Sequence, residues 1–138
     1  MKLKIEYNYP PNYDRIINRF PSVKGRKGII FTYGDTVYIP RGKGMIPDHL
    51  KVHEKTHIKQ QINGPEFWWN KYLENDEFRL SQEVEAYQNQ YNYYCQKDKS
   101  LKSQRLFLRR IAMDLSSAIY GNMIEFEQAK KLIKKGNK

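Results

Sequence analysis

His53 and His57 stand four residues apart, with Glu54 directly after the first, in His53-Glu54-Lys55-Thr56-His57. No other feature constrains the fold of this chain as strongly. Four residues make just over one turn of an α-helix, so both imidazoles leave the same face, about 6 Å apart along the axis. Two neutral imidazoles so placed can grip one zinc ion, and a site of that kind needs a third protein ligand. Glu54 follows at about 100° around the helix. From there it can reach water on the ion without binding the ion, as a general base must. The bland alternative is a surface helix that happens to carry two histidines and a glutamate. Three features weigh against it: independent helix ends, a β-hairpin ahead of the motif, and a suitable acid behind it.

Pro47-Asp48 reads as the start of the motif helix, with Asp48 as N-cap, and Asn63-Gly64-Pro65 as its stop after Ile62. Ahead of it, the β-rich runs from Gly28 to Tyr33 and from Thr36 to Ile39 flank Gly34-Asp35 and read as a hairpin. Earlier still, Tyr13, Ile16, Ile17 and Phe20 fall at helical spacing before Pro21. Behind the motif, Pro65 opens a short helix carrying Phe67, Trp68, Trp69 and Tyr72, with the two tryptophans as core anchors. A long helix follows Asn75-Asp76 and runs to Lys97, and another spans Leu101 to Tyr120 and closes at Gly121. Asn122, with Glu125 three residues on, resembles the capping box of a last helix. The expected class is α+β, mostly helical, with one small N-terminal sheet, in a single domain over residues 1–138.

No histidine follows His57, so the third ligand has to be a downstream carboxylate: Glu74, Asp76, Glu77, Glu83 or Glu85. Projected at about 100° per residue from Leu80, the long helix puts Val84, Tyr87, Tyr91 and Tyr94 within about 40° of it, a buried stripe. On the same projection Glu83 falls at about −60°, on the edge of the stripe, and Glu85 at about 140°, facing away. A lone carboxylate beside an apolar stripe is costly unless something compensates it, and a zinc ion would. His49 lies one turn before His53, but His49 to His57 is about 12 Å along a straight helix. That is too far for three imidazoles on one ion, so His49 is expected at a pocket rim or exposed.

Lys and Arg number 25 against 15 Asp and Glu, a formal charge of +10, which admits a polyanionic partner. The basic residues are dispersed, apart from Lys130, Lys131, Lys134, Lys135 and Lys138, and no nucleic-acid reader motif occurs. Nucleic-acid binding is therefore expected to be absent or nonspecific. Cys95 is the one cysteine, which excludes an intrachain disulfide and a cysteine-only metal site. The N-terminal residues contain no secretory-signal stretch, and no apolar run approaches the roughly 20 residues that span a bilayer. The chain reads as soluble and cytoplasmic.

His53-Glu54-Lys55-Thr56-His57 followed by Glu83-Val84-Glu85-Ala86-Tyr87 resembles the gluzincin zinc metallopeptidases. The likeness is greatest to the HtpX-like and CAAX-prenyl proteases and the compact minigluzincin domains, which pair H-E-x-x-H with E-x-x-A-D on a later helix. The resemblance covers His53 to Tyr87. It implies a zincin-like fold with the active-site helix packed on a long glutamate-bearing helix. It also implies His53, His57 and Glu83 as ligands of Zn2+, and Glu54 as catalytic base. Ala86 matches the small residue of the family, whereas Tyr87 stands where the family has an aspartate.

The activity so implied is hydrolysis of a peptide or protein substrate, with Glu54 taking a proton from zinc-activated water and passing it to the leaving amine. Thr36, Val37 and Tyr38 are candidates to hold an extended substrate by main-chain hydrogen bonds. A donor to the anionic intermediate is sought among His49, Arg109, Arg110 and Tyr120, and Tyr87 is a further candidate contact. The competing readings are a basic, catalytically silent zincin-fold binding module, associated with nucleic acid or a complex, and a structural interaction protein. Glu54 favours the enzyme, since a purely structural site has no use for it.

Overall fold

Short β-branched and aromatic runs supply a three-stranded sheet in the computed structural model, which describes residues 2–136. Its strands are β1 (Lys4–Glu6), β2 (Phe31–Tyr33) and β3 (Thr36–Tyr38). β2 and β3 form the expected hairpin, with Thr32 opposite Val37. Gly34 turns it in the left-handed region at φ 65°, which glycine adopts without steric cost. β1 pairs in parallel with the other side of β3, Ile5 opposite Val37, giving the order β1-β3-β2.

The central position of β3 corrects the expectation for Thr36, Val37 and Tyr38. Both edges of that strand are engaged by neighbours, and Val37 is fully buried. None of the three lines the cavities beside the histidines. They hold the sheet together and have no free main-chain edge to offer a substrate.

Six α-helices make up most of the described residues: α1 (Tyr13–Arg19), α2 (Asp48–Gln60), α3 (Pro65–Glu74), α4 (Asp76–Lys97), α5 (Leu101–Leu115) and α6 (Phe126–Lys135). Asp48 begins α2 as its first residue rather than as N-cap, where its charge suits the helix dipole. Asn75 caps α4, its Oδ1 accepting from the Phe78 amide at 2.9 Å. α5 stops short of the predicted Tyr120. Ser116 and Ser117 turn their hydroxyls back onto the carbonyls of Met113 and Asp114, which competes with continuing the helix. A short 3-10 turn, Ala118–Tyr120, follows. The capping box at Asn122 does not form: Asn122 is itself left-handed, and α6 starts four residues later at Phe126. Lys138, the last of the C-terminal basic cluster, lies outside the described residues. No helix among the described residues is long and apolar enough to cross a membrane.

Apolar burial is divided between two main clusters. One joins α4, α5 and α6 through Tyr87, Tyr91, Phe107, Ile111, Leu115 and Ile133. The other joins α1, β2 and α3 through Ile16, Phe20, Phe31, Trp68, Trp69 and Leu73. α2 lies against α4 and departs from the pattern. Its buried residues are His53, Glu54, Thr56 and His57, every one polar. Burying polar side chains costs free energy unless each finds a partner, so their partners define what this helix is for.

Candidate metal centre

α2 and α4 bring three side chains to one point. His53 Nε2 and His57 Nε2 are 3.1 Å apart, and Glu83 Oε1 lies 3.3 Å from the first and 3.2 Å from the second. All three residues are buried. Among the described residues this is the one group of His, Cys, Asp and Glu side chains whose ligand atoms converge well enough to hold a metal ion. Glu85, exposed on the opposite face of α4, does not join them, and neither do Glu74, Asp76 or Glu77.

The hydrogen bonds behind the imidazoles fix which nitrogen faces inward. Gln60 Nε2 donates to the Gln82 carbonyl at 3.0 Å and to Glu85 Oε1 at 2.7 Å, so Gln60 Oε1 is the acceptor that meets His57 Nδ1 at 2.8 Å. His53 Nδ1 meets Gln90 Oε1 at 2.9 Å, while Gln90 Nε2 donates to His49 Nδ1 at 2.9 Å. Both Nδ1 atoms therefore donate, and both Nε2 lone pairs point at each other and at Glu83 Oε1. Three acceptors within contact distance repel unless a cation sits among them. Tetrahedral zinc with bonds of about 2.0–2.1 Å needs donor atoms about 3.3–3.4 Å apart, close to the separations found, so the residues fit a metal ion.

Glu83 is itself held from behind. The Tyr72 hydroxyl donates to Glu83 Oε2 at 2.6 Å, leaving Oε1 to the imidazoles. Burial and the adjacent carboxylate push the Tyr72 phenol well above its ordinary range, so it remains a donor. Arg79, fully buried, fixes the backbone around it. Its guanidinium donates to the Tyr72 carbonyl at 2.7 Å and the Tyr120 carbonyl at 2.9 Å, pairs with Asp76, and lies over the Phe20 ring. Gly121 has to be small here, since a Cβ on it would come within 3.0 Å of that ring.

Burial alone would pull the His57 imidazole down, but the Glu83 carboxylate overrides it and pushes it up to about 9. Burial works against the Glu83 charge too, and His57 with the two imidazole hydrogen bonds holds that carboxyl far below the usual range. In the metal-free chain a proton on His57 thus takes the place of the cation. Because the folded-state value of His57 lies above its ordinary value of about 6.5, this stabilisation is complete below that pH and is lost as pH rises through about 9. Chelator-treated protein is expected to melt at progressively lower temperature across that window. Metal uptake near neutral pH should release about one proton per ion. Calorimetric titration in buffers of different ionisation enthalpy measures this, and uptake without proton release would contradict it.

Glu54 stands beside the cluster without joining it. It is buried, and Thr32 Oγ1 on β2 donates to its Oε1 at 2.8 Å. A cavity of about 70 Å³ opens on His53, Glu54, His57, Tyr72 and Glu83. A larger cleft of about 550 Å³ continues from His53 and Glu54 past Tyr87 and Tyr120 to His49 and Gln90. His49 is a rim residue, packed on Phe107, and no ligand. Tyr120 and Tyr87 share a hydroxyl–hydroxyl hydrogen bond of 2.8 Å at the cleft wall, and Tyr87 packs edge-on against the His53 ring. Arg110 lines the cleft, whereas Arg109 does not. Trp68 and Trp69 are buried core, as expected, with Trp69 Nε1 donating to the Thr32 carbonyl.

The sequence reading missed Thr32, Gln60, Tyr72 and Gln90. Only Gln60, three residues after His57 on the same helix face, had a spacing that could have exposed it.

Compared with known proteins, the chain matches no family model, no curated protein and no solved structure. What the site can do has to be read from its own geometry.

Proposed function

We propose that this chain is a zinc-dependent peptidase of the gluzincin type, with His53, His57 and Glu83 as ligands and Glu54 as general base. One observation carries the reading: three buried acceptors converge at metal-ligand spacing, with a non-ligating carboxylate next to them, at the meeting of a cavity and an open cleft. A structural metal site is closed and needs neither the extra carboxylate nor the opening. The two-helix arrangement suits the zincin resemblance, as does the fully buried Ala86. Where that family has an aspartate, Tyr87 turns its hydroxyl to Tyr120, and Gln90 supplies the partner of His53 Nδ1 instead.

When bound, zinc supplies Lewis acidity that makes water acidic near neutral pH. The residues of the chain do the rest. His53, His57 and Glu83 fix the ion, with their outer hydrogen bonds to Gln90, Gln60 and Tyr72 setting the direction of each donor. Glu54 takes a proton from the attacking water and returns it to the leaving amine, its carboxylate steered by Thr32 Oγ1. The Tyr120–Tyr87 hydroxyl pair, on the cleft wall, keeps one hydroxyl hydrogen that can serve a developing oxyanion.

Purified protein is expected to carry about one zinc per chain by elemental analysis. It should cleave casein or a mixed peptide library, stop on chelation, and resume when zinc is restored. Protein that stays metal-free in micromolar zinc would sink the proposal.

A further inference from the structure

The lining of the cleft beside the candidate metal centre carries more arginines than carboxylates. Arg26, from the loop before β2, and Arg110, on α5, both line it and are exposed, as does Arg41 from the loop before α2. Against these the lining offers two carboxylates, Glu54 and Asp114, the latter one turn beyond Arg110 on α5. Among the described residues neither the Arg26 nor the Arg110 guanidinium has an ion-pair or hydrogen-bonded partner, although Asp114 shares the cleft with both. Burial pushes the Asp114 carboxyl up, and Arg110 and Arg26 pull it back without closing a salt bridge. Two guanidiniums from different segments of chain thus face one opening with their donors unused.

We propose that Arg26 and Arg110 select substrates bearing a carboxylate side chain next to the reacting peptide bond. The inference rests on the peptidase reading and adds the substrate class. A guanidinium is a planar fork whose paired N–H groups match the two oxygens of a carboxylate, so it recognises shape as well as charge. Glu54 forms part of the same lining, so an acidic side chain can be drawn to the rim only by cations that outnumber the carboxylates there, and the three arginines do. The polypeptide reading is favoured over a polynucleotide because the arginines gather at one cleft beside the candidate metal centre. A nucleic-acid backbone calls for cations spread along a track.

Binding is to be measured apart from turnover, with zinc-loaded Glu54→Gln protein and fluorescein-labelled alanine-based peptides that differ only in a central Glu or Gln. The Glu peptide is expected to bind about tenfold more tightly, a margin that shrinks in high salt. In the Arg26→Gln/Arg110→Gln double variant the ratio should collapse to about one. Lys131→Gln/Lys134→Gln, which removes the same charge from exposed positions on α6, should leave the ratio intact and so separates local recognition from the overall charge of +10. Both double variants alter exposed residues, and circular dichroism checks that they fold. Equal binding of the two peptides would overturn the proposal. So would an equal loss in both double variants, or a single-stranded oligonucleotide that binds more tightly and displaces the Glu peptide. If the Glu preference and its arginine dependence hold while wild-type protein cuts no peptide, the selective cleft stands and the peptidase reading falls.

Discussion

Glu54→Gln is expected to keep its zinc, its fold and its melting temperature while peptide hydrolysis falls by about 10²–10⁴-fold. Glutamine has the volume of glutamate, and its amide oxygen can still accept from Thr32 Oγ1, the hydrogen bond Glu54 makes at 2.8 Å. The ligand set is untouched, because Glu54 is not among the converging atoms. What disappears is the group that accepts a proton. Metal analysis, thermal melting and library cleavage on one preparation separate these effects. Turnover near the wild-type rate would remove Glu54 from the mechanism, and loss of zinc would make it a ligand.

Glu83→Ala should be the most damaging single change at the site. Losing a hydrogen-bonding partner behind a metal ligand costs about 10–100-fold in affinity, and losing a ligand outright should exceed that. The variant also leaves the buried Tyr72 hydroxyl without its acceptor, a further loss of about 1–3 kcal/mol in stability. Glu85→Ala is the comparison. Glu85 is exposed on the far side of α4, yet it accepts from Gln60 Nε2, and Gln60 orients His57. Its removal should weaken zinc binding less than about tenfold, through that relay alone. Competition with a zinc-responsive chelator dye measures both. Wild-type affinity in Glu83→Ala would overturn the ligand set.

Helical phase made much of this legible from residues alone. The four-residue interval set His53 and His57 on one face, and the projection of α4 separated buried Glu83 from exposed Glu85. Those are local regularities, fixed by 3.6 residues per turn. Long-range pairings were not legible. Lys4-Ile5-Glu6 becomes a strand only because Thr36–Tyr38 lies beside it, and that pairing turns the supposed substrate edge into the middle of a sheet. The residues behind the candidate ligands escaped for a related reason. Gln90 lies 37 positions from His53, and Tyr72 lies 11 from Glu83 on a separate helix. A glutamine or tyrosine in a helix carries no mark of the partner it will meet. The arginines of the cleft come from a loop and from a helix far along the chain, and only folding brings them to one opening.

Arg79 has a mechanical consequence. A guanidinium is rigid, and its N–H bonds leave it at fixed angles. The carbonyls of Tyr72 and Tyr120 are both bonded to it, with Phe20 stacked on its face. The backbone behind Glu83 and the backbone carrying Tyr120 are thereby riveted to one plate, and neither can shift without dragging the other. Elsewhere in the cleft lining, Gly25 and Gly28 punctuate the loop bearing Arg26, and Gly42 and Gly44 the loop bearing Arg41. Glycine imposes the least resistance to backbone rotation. The wall tied to Arg79 is braced, and the glycine-bearing loops are the part of the lining with the freest backbone.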